Sequence, residues 1–177
     1  MENGQIARIL HALCAIFAVL ALSSPAPAQG VPKVLWGEWM IGHDLPTTTI
    51  SCWGEPEIKK LVGTKIEYSA DFFRWQTISV NHPVVETKVV TAEQFAEDNS
   101  AVSVNGSQVD FDQIGIRAKS AKQITINHPA ANISNSTTTE IPGDKVWVKN
   151  PDTIIFSVCN VYFEARRVKP KSKQVNE

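Results

Sequence analysis

The sequence predicts a small, mainly β domain in which antiparallel strands follow one another as a meander. Apolar and polar residues alternate through many short segments that are rich in Val, Ile, Thr and aromatic residues, a pattern typical of half-buried strands. Turn residues separate these segments, and few segments are long enough for a helix of three turns. The predicted strands are 34–41, 64–69, 72–80, 84–90, 101–104, 108–111, 122–127, 145–149, 153–158 and 161–168.

The first 28 residues match a secretory signal peptide. Arg8 precedes an apolar stretch, residues 9–22, in which only His11 is polar, and the small-residue pattern Ala26-Pro27-Ala28 follows. This stretch is too short to span a bilayer as a stable helix. A buried N-terminal helix is disfavoured, because the stretch is apolar on all sides and runs into a Pro-rich break. We expect cleavage after Ala28 and a secreted or periplasmic protein.

The rest of the chain is predicted to be one domain, residues 29–168, with a disordered basic tail at 169–177. Cys14 lies in the middle of the apolar stretch and not at its end, so no lipid-anchored membrane protein is expected.

The formal net charge is −1. Proteins that bind nucleic acid by neutralising phosphates usually carry a basic excess, so no nucleic-acid partner is expected.

Two short helices and two turns interrupt the strands. Residues 55–63 have Pro and acids in the first turn, Lys later and Gly at the end, which matches helix capping preferences and the helix dipole. Thr91 to Gln94 form a capping box that opens a second helix, which would bury Phe95. Asn105-Gly106 predicts a tight hairpin turn, and Cys159-Asn160 a similar one. Both helices are interpreted as structural connectors.

Cys52 and Cys159 are the two cysteines left after signal cleavage. An even pair in an exported chain predicts one disulfide, because the compartment is oxidising. A metal pair or a nucleophilic thiolate is the alternative, but neither residue lies in a C-x-x-C motif or beside a His. The bond would tie the start of the fold to its end.

The best-defined pattern joins the first and last predicted strands. Gly37 and Trp39 share one face of the first strand, and alternation places Arg167 on the core face of the last strand. A guanidinium over an indole ring gains cation–π energy and can cap the backbone of adjoining segments. Structural packing is therefore the role expected for Trp39 and Arg167.

Gly37-x-Trp39 and Arg167 resemble the Gly-x-Trp and terminal Arg signatures of the lipocalin family and the wider calycin group. The resemblance implies an eight-stranded antiparallel up-and-down barrel, closed by pairing of the first and last strands. It also implies an internal cavity for a small hydrophobic ligand.

Four aromatic residues are the candidates for contacts with such a ligand. Phe73 and Trp75 share one face of their strand, Tyr68 lies inward on the strand before, and Trp53 could form part of a lid. Aromatic side chains bring large apolar area, and Tyr and Trp keep a polar edge that can orient a ligand. Because small barrels often fill their interior with side chains, the alternative is that these residues are core.

No constellation for catalysis, for a metal or for a cofactor emerges. His43, His82 and His128 could supply imidazoles, but no two of them share a strand or helix face. Nucleophile elbows, phosphate loops and zinc-protease motifs are missing from the sequence. The leading hypothesis is an exported carrier of a small hydrophobic molecule. The second is an interaction module or enzyme inhibitor with a filled barrel, and an enzyme is disfavoured.

Overall fold

The computed structural model describes residues 30–47, 49–100, 108–128 and 140–169. The predicted signal peptide, residues 101–107 with the predicted strand 101–104 and the Asn105-Gly106 turn, and tail residues 170–177 lie outside the described residues. The following statements concern the described parts of the chain.

Nine strands and two short helices make up the described fold. The strands are β1 (Gly37–Leu45), β2 (Lys65–Tyr68), β3 (Phe72–Trp75), β4 (Ile78–Asn81), β5 (Val84–Thr91), β6 (Ser120–Asn127), β7 (Lys145–Asn150), β8 (Thr153–Val158) and β9 (Val161–Arg167). The helices are α1 (Glu55–Leu61) and α2 (Ala92–Asp98). Neither helix is long and apolar enough to cross a membrane.

All nine strands belong to one antiparallel sheet in the order β4-β3-β2-β1-β9-β8-β7-β6-β5. The first and last strands pair, as Trp39 opposite Arg167 shows. The sheet curls into a half-barrel whose edges are β4 and β5. The prediction of a mainly antiparallel β fold with two short helices is confirmed, but the sheet has nine strands instead of eight, and its two edge strands do not pair.

The extra strand comes from a hairpin that the sequence did not signal. Residues 72–80 were expected to form one strand, but the chain reverses at Gln76, which has a φ of 51°, so that Trp75 pairs with Ile78. The next connection turns the chain away instead of continuing the meander. His82 has a φ of 47°, its N–H donates to the Asp71 carbonyl at 2.6 Å, and the following proline has no N–H to offer a β4–β5 ladder.

The turn between β8 and β9 is confirmed, and the strand predicted at 108–111 is wrong. Cys159 and Asn160 both have positive φ, 52° and 62°, as a two-residue hairpin turn of this type requires. Residues 108–117 form turns and loop instead of a strand. Phe111 and Ile114 are buried there against the sheet, so tertiary packing determined this segment's structure.

The inner face of the sheet is covered by its own side chains. Trp39, Ile66, Phe73, Phe156 and Phe163 are all fully buried in one cluster, to which β1, β2, β3, β6, β7, β8 and β9 all contribute. At about 25 cal/mol per Å² of apolar surface, this cluster is a main source of stability.

A second core lies on the outer face, under α2 and the 108–117 loop. Trp147, Ile155 and Tyr162 project outward from β7, β8 and β9 and pack with Phe95 of α2. The capping box that starts α2 is formed as expected, since Thr91 Oγ1 accepts from the Gln94 N–H and Gln94 Oε1 accepts from the Thr91 N–H. The β7–β9 part of the sheet is therefore buried on both faces.

Candidate functional site

Arg167 and Trp39 meet at the seam between the first and last strands. The guanidinium carbon lies 4.1 Å from the centre of the Trp39 ring, and the Trp39 indole N–H donates to the Leu35 carbonyl at 2.6 Å. Arg167 also donates to the carbonyls of Val34, at 2.6 Å, and of Trp36. These contacts hold the segment before β1 against β9.

The backbone conformation favours glycine at position 37 of this seam. Its φ is +113°, a region that other residues rarely adopt, whereas a Cβ there would make only an ordinary contact of 3.4 Å with Arg167 Nη1. The geometry of Gly37, Trp39 and Arg167 is that of a structural clasp.

Cys52 and Cys159 form the expected disulfide, with their Cα atoms 5.3 Å apart. Side-chain hydrogen bonds tie the same two segments together. Thr49 Oγ1 donates to the Asn160 carbonyl at 2.6 Å, and the Asn160 amide donates to the Ile50 carbonyl at 3.0 Å. The bond therefore fixes the chain after β1 to the β8–β9 turn.

Two of the four predicted ligand contacts are core residues. Tyr68 and Phe73 are 1% and 0% exposed, and their rings stack with centroids 5.3 Å apart. The Tyr68 hydroxyl donates to the Gly143 carbonyl at 2.7 Å, and burial raises the pKa of that phenol well above its usual value. A Cβ on Gly143 would lie 2.6 Å from Tyr68 Oη, so the opposite side of the interior approaches this ring closely.

The other two predicted contacts lie at the edge of the inner core. Trp53 and Trp75 are partly buried and pack against it. The Trp75 indole N–H donates to Thr64 Oγ1 at 3.2 Å. They are thus the more accessible pair among the four aromatic candidates, and they are not in the packed interior.

A polar pocket that the sequence did not reveal lies on the outer face of the sheet, beside the C-terminal end of α2. Its volume is about 310 Å³. It is lined by Asn99, Thr125, Ile126, Asn127, His128, Glu140, Asp144, Lys145, Ser157, Asn160 and Tyr162. The sheet register explains this composition, because Thr125 lies opposite Lys145 and Ser157 opposite Tyr162 on the outer face.

Partly buried hydrogen bonds fix the inner wall of this pocket. His128 Nε2 and Asp144 Oδ2 are 3.0 Å apart, and the same carboxylate oxygen accepts from the Ile141 N–H at 2.9 Å. Burial raises the pKa of Asp144, against the lowering effect of its hydrogen bond with His128. The Tyr162 hydroxyl donates to Asn99 Oδ1 at 2.6 Å, and burial raises its pKa too.

The pocket also contacts the disulfide-bonded turn. Glu140 Oε2 accepts from the Cys159 N–H at 2.6 Å. Thr125 and Ser157 are half-buried and Asn127 is exposed, so hydroxyl and amide groups face the opening. Such groups can bind uncharged polar ligands, including peptide groups. Polar residues that alternate with apolar ones on a strand are common on solvated faces, so the sequence carries no signal for this pocket.

A second pocket and the histidines have weaker support as functional sites. A shallow pocket of about 240 Å³ is lined by Glu38, Lys65, Glu67, Arg74 and Gln76, but its charges are already paired as Lys65–Glu38 and Arg74–Glu67. Among the residues with described positions, no three His, Cys, Asp or Glu side chains gather as a metal site would require. His43 and His82 are exposed, while His128 is engaged with Asp144.

The chain was compared with protein-family models, with curated proteins and with solved structures, and none of the three comparisons found a match. What the site binds must therefore be inferred from its geometry.

Proposed function

We propose that the protein is an exported interaction module, in which a filled and disulfide-bonded β scaffold binds another protein through the polar pocket on its outer face. The observation that carries this proposal is the occupied interior. Tyr68 and Phe73 are fully buried, and the Tyr68 hydroxyl is bonded to the backbone of the opposite wall. A ligand at these rings would have to displace packed side chains and break that bond.

The outer pocket supports binding of a polar segment of a protein. It offers amide, hydroxyl, carboxylate and ammonium groups beside the Tyr162 ring. Its volume of about 310 Å³ would accommodate a few side chains, and its polar lining does not suit an apolar molecule. Interfaces combine such hydrogen-bonding groups with buried aromatic residues, and the pocket is anchored on rigid strands.

A carrier of a small hydrophobic molecule is the second candidate. Its support is the open side of the half-barrel, where Trp75, Ile78 and Val85 are only partly buried and where β4 and β5 do not pair. Trp53, also partly buried, could contribute to the same region. In this form the ligand would lie at the rim and not against Tyr68 and Phe73.

Native mass spectrometry of protein purified from its own host separates the two functions. The interaction module predicts an apo mass for the free chain and a stoichiometric complex with a second protein. A small molecule retained by the wild type and lost from a Trp75→Ala variant would instead favour the carrier.

A matched pair of variants tests the pocket itself. Ser157 and Thr153 are both half-buried on the outer face of β8, but only Ser157 lines the pocket. Ser157→Gln should weaken the complex at least about tenfold by filling the pocket, whereas Thr153→Gln should leave it unchanged. Equal affinities for both variants, with circular dichroism showing a native fold, would reject the pocket as the binding site.

A further inference from the structure

Strand β5 is a long and exposed edge of the sheet. Within the described residues it pairs with β6 alone, over all eight of its positions. Val84 and Val89 are 54% and 66% exposed, and Glu86 and Lys88 are exposed without an ion pair to any described residue. Edge strands with free backbone groups are usually covered or blocked in native proteins. An edge of this length can accept another strand.

The sequence of β5 is complementary to itself in one antiparallel register. Glu86 and Lys88 share the outer face of the strand, since their partners Thr125 and Gln123 lie outward on β6. Residues that lie directly opposite each other in an antiparallel pair have their side chains on the same face of the sheet. When β5 pairs with a second copy of itself, the two-fold axis perpendicular to the sheet must therefore pass through a residue and not between two residues. An axis at Thr87 places Glu86 of each copy opposite Lys88 of the other.

The inner face agrees with the same register. Val85, Thr87 and Val89 share this face, because their partners on β6 include the buried Ile126 and Ile124. With the axis at Thr87, each exposed Val89 meets Val85 of the other copy, and the two Thr87 residues face one another. Cross-strand pairs of opposite charge, of β-branched residues and of two threonines are each favourable.

We propose that two copies of this chain pair through β5 to form a two-fold symmetric dimer with one continuous sheet. The occupant of the edge is a second copy, because one register satisfies both charges and pairs the exposed Val89 of each strand with a valine of the other. No residue of β5 lines the outer-face pocket, although Glu86 lies opposite Thr125 of its wall, so the dimer proposal does not depend on the pocket binding a partner.

Charge reversal tests the register. Glu86→Lys places lysines opposite lysines and Lys88→Glu places glutamates opposite glutamates, so each single variant should dimerise roughly 10- to 100-fold more weakly than the wild type. An equimolar mixture of the two variants restores opposite charges and should form the heterodimer. The Glu86→Lys/Lys88→Glu double variant should recover the homodimer. Sedimentation velocity and light scattering measure each mass.

A cross-link tests the position of the axis. Thr87→Cys should form an intermolecular disulfide under mild oxidation, because directly opposed residues of an antiparallel pair lie within disulfide reach. Ser79→Cys, exposed on the other edge strand β4, is the matched control and should stay unlinked. Reducing and non-reducing gels report the result.

A protein that remains monomeric up to millimolar concentration would overturn the proposal. So would a dimer that is indifferent to both charge reversals and leaves Thr87→Cys unlinked. Pairing of β5 with a segment of another protein would give a monomer of the pure chain, and would therefore count against the dimer as well.

Discussion

The guanidinium of Arg167 connects three chain segments. It lies over Trp39 of β1, donates to carbonyls of the segment before β1, and its Nε donates to the Pro151 carbonyl at 3.0 Å. Lysine could keep the charge but could not reach several carbonyls with a fixed planar fork. The residue type, and not only its charge, therefore matters at this seam.

Arg167→Ala should lower the free energy of unfolding by about 2–3 kcal/mol, through loss of the cation–π contact and of hydrogen bonds to the backbone. Arg167→Lys should recover less than half of that loss. Arg166→Ala is the control, since the Arg166 side chain is 75% exposed, and it should cost less than about 1 kcal/mol. Urea unfolding measures all three, and equal losses at 166 and 167 would contradict the clasp.

Glu164 provides a test through pH. It is 7% exposed on β9 and bonded to Lys149 Nζ at 3.0 Å and to Arg166 Nε at 2.9 Å. Burial acts to raise the pKa of Glu164, but the hydrogen bonds from Arg166 and Lys149 outweigh it and the pKa is lowered. Its stabilisation is therefore present above the unfolded value of about 4.3 and is lost as pH falls through the folded pKa.

Glu164→Gln should lower the free energy of unfolding by about 1–3 kcal/mol at pH 7, and the difference from wild type should shrink below about pH 4. Asp144→Asn supplies a control of opposite sign. Burial raises the pKa of Asp144. The stabilisation that the protonated carboxyl gives the folded protein is therefore fully present below the unfolded pKa of about 3.9, and it is lost as pH rises through the folded pKa. Between pH 3 and pH 7, the free energy of unfolding of the wild type should therefore fall relative to that of the Asp144→Asn variant. Parallel profiles for the two variants would refute both assignments.

At the scale of elements, the helices and most strands followed local signals in the sequence. The capping box at Thr91, the helix from Glu55 and the Cys159-Asn160 turn rest on interactions within a few residues. The reversal at Gln76 could not be predicted, because glutamine carries no preference for positive φ and the turn is imposed by the pairing of β3 with β4.

The outer core had a signal that alternation alone does not capture. Strands β7 to β9 contain the consecutive apolar residues Val146-Trp147, Ile154-Ile155-Phe156 and Val161-Tyr162-Phe163, a pattern typical of strands buried on both faces. Which segment covers the outer face depends on distant packing of α2 and residues 108–117. The polar pocket at the border of that cover was unpredictable for the same reason, since strands β6 to β9 and α2 assemble it.

Phe95 is the side chain through which α2 is attached to the sheet. Its ring centroid lies 4.9 Å from that of Phe111 and 5.3 Å from that of Trp147. Phe95→Ala should lower the free energy of unfolding by about 3–5 kcal/mol, whereas the exposed Glu97→Ala should change it by less than about 0.5 kcal/mol. Hydrogen exchange should accelerate in residues 92–98 and 108–117 and not in β1 to β3. Uniform acceleration would mean that the outer core does not behave as a separate unit.

For the whole molecule, the two sides of the half-barrel differ in how firmly they are held. The seam between β1 and β9 is closed by strand pairing, whereas β4 and β5 are open edges. The seam carries a ladder from Trp39 to Leu45, the Arg167 contacts and the nearby disulfide. The β4–β5 side has no ladder in the described structure. Stability should therefore be highest around β1, β8 and β9.

The disulfide should account for a large part of that stability, because Cys52 and Cys159 are 107 residues apart and the bond closes a long loop in the unfolded chain. Cys52→Ala/Cys159→Ala should lower the free energy of unfolding by about 2–5 kcal/mol, and reduction of the wild type should have a similar effect. Added reductant should not change the double variant further, which controls for other effects of the reagent. A count of two free thiols at these positions in the denatured, unreduced protein would show that the bond does not form and does not contribute to stability.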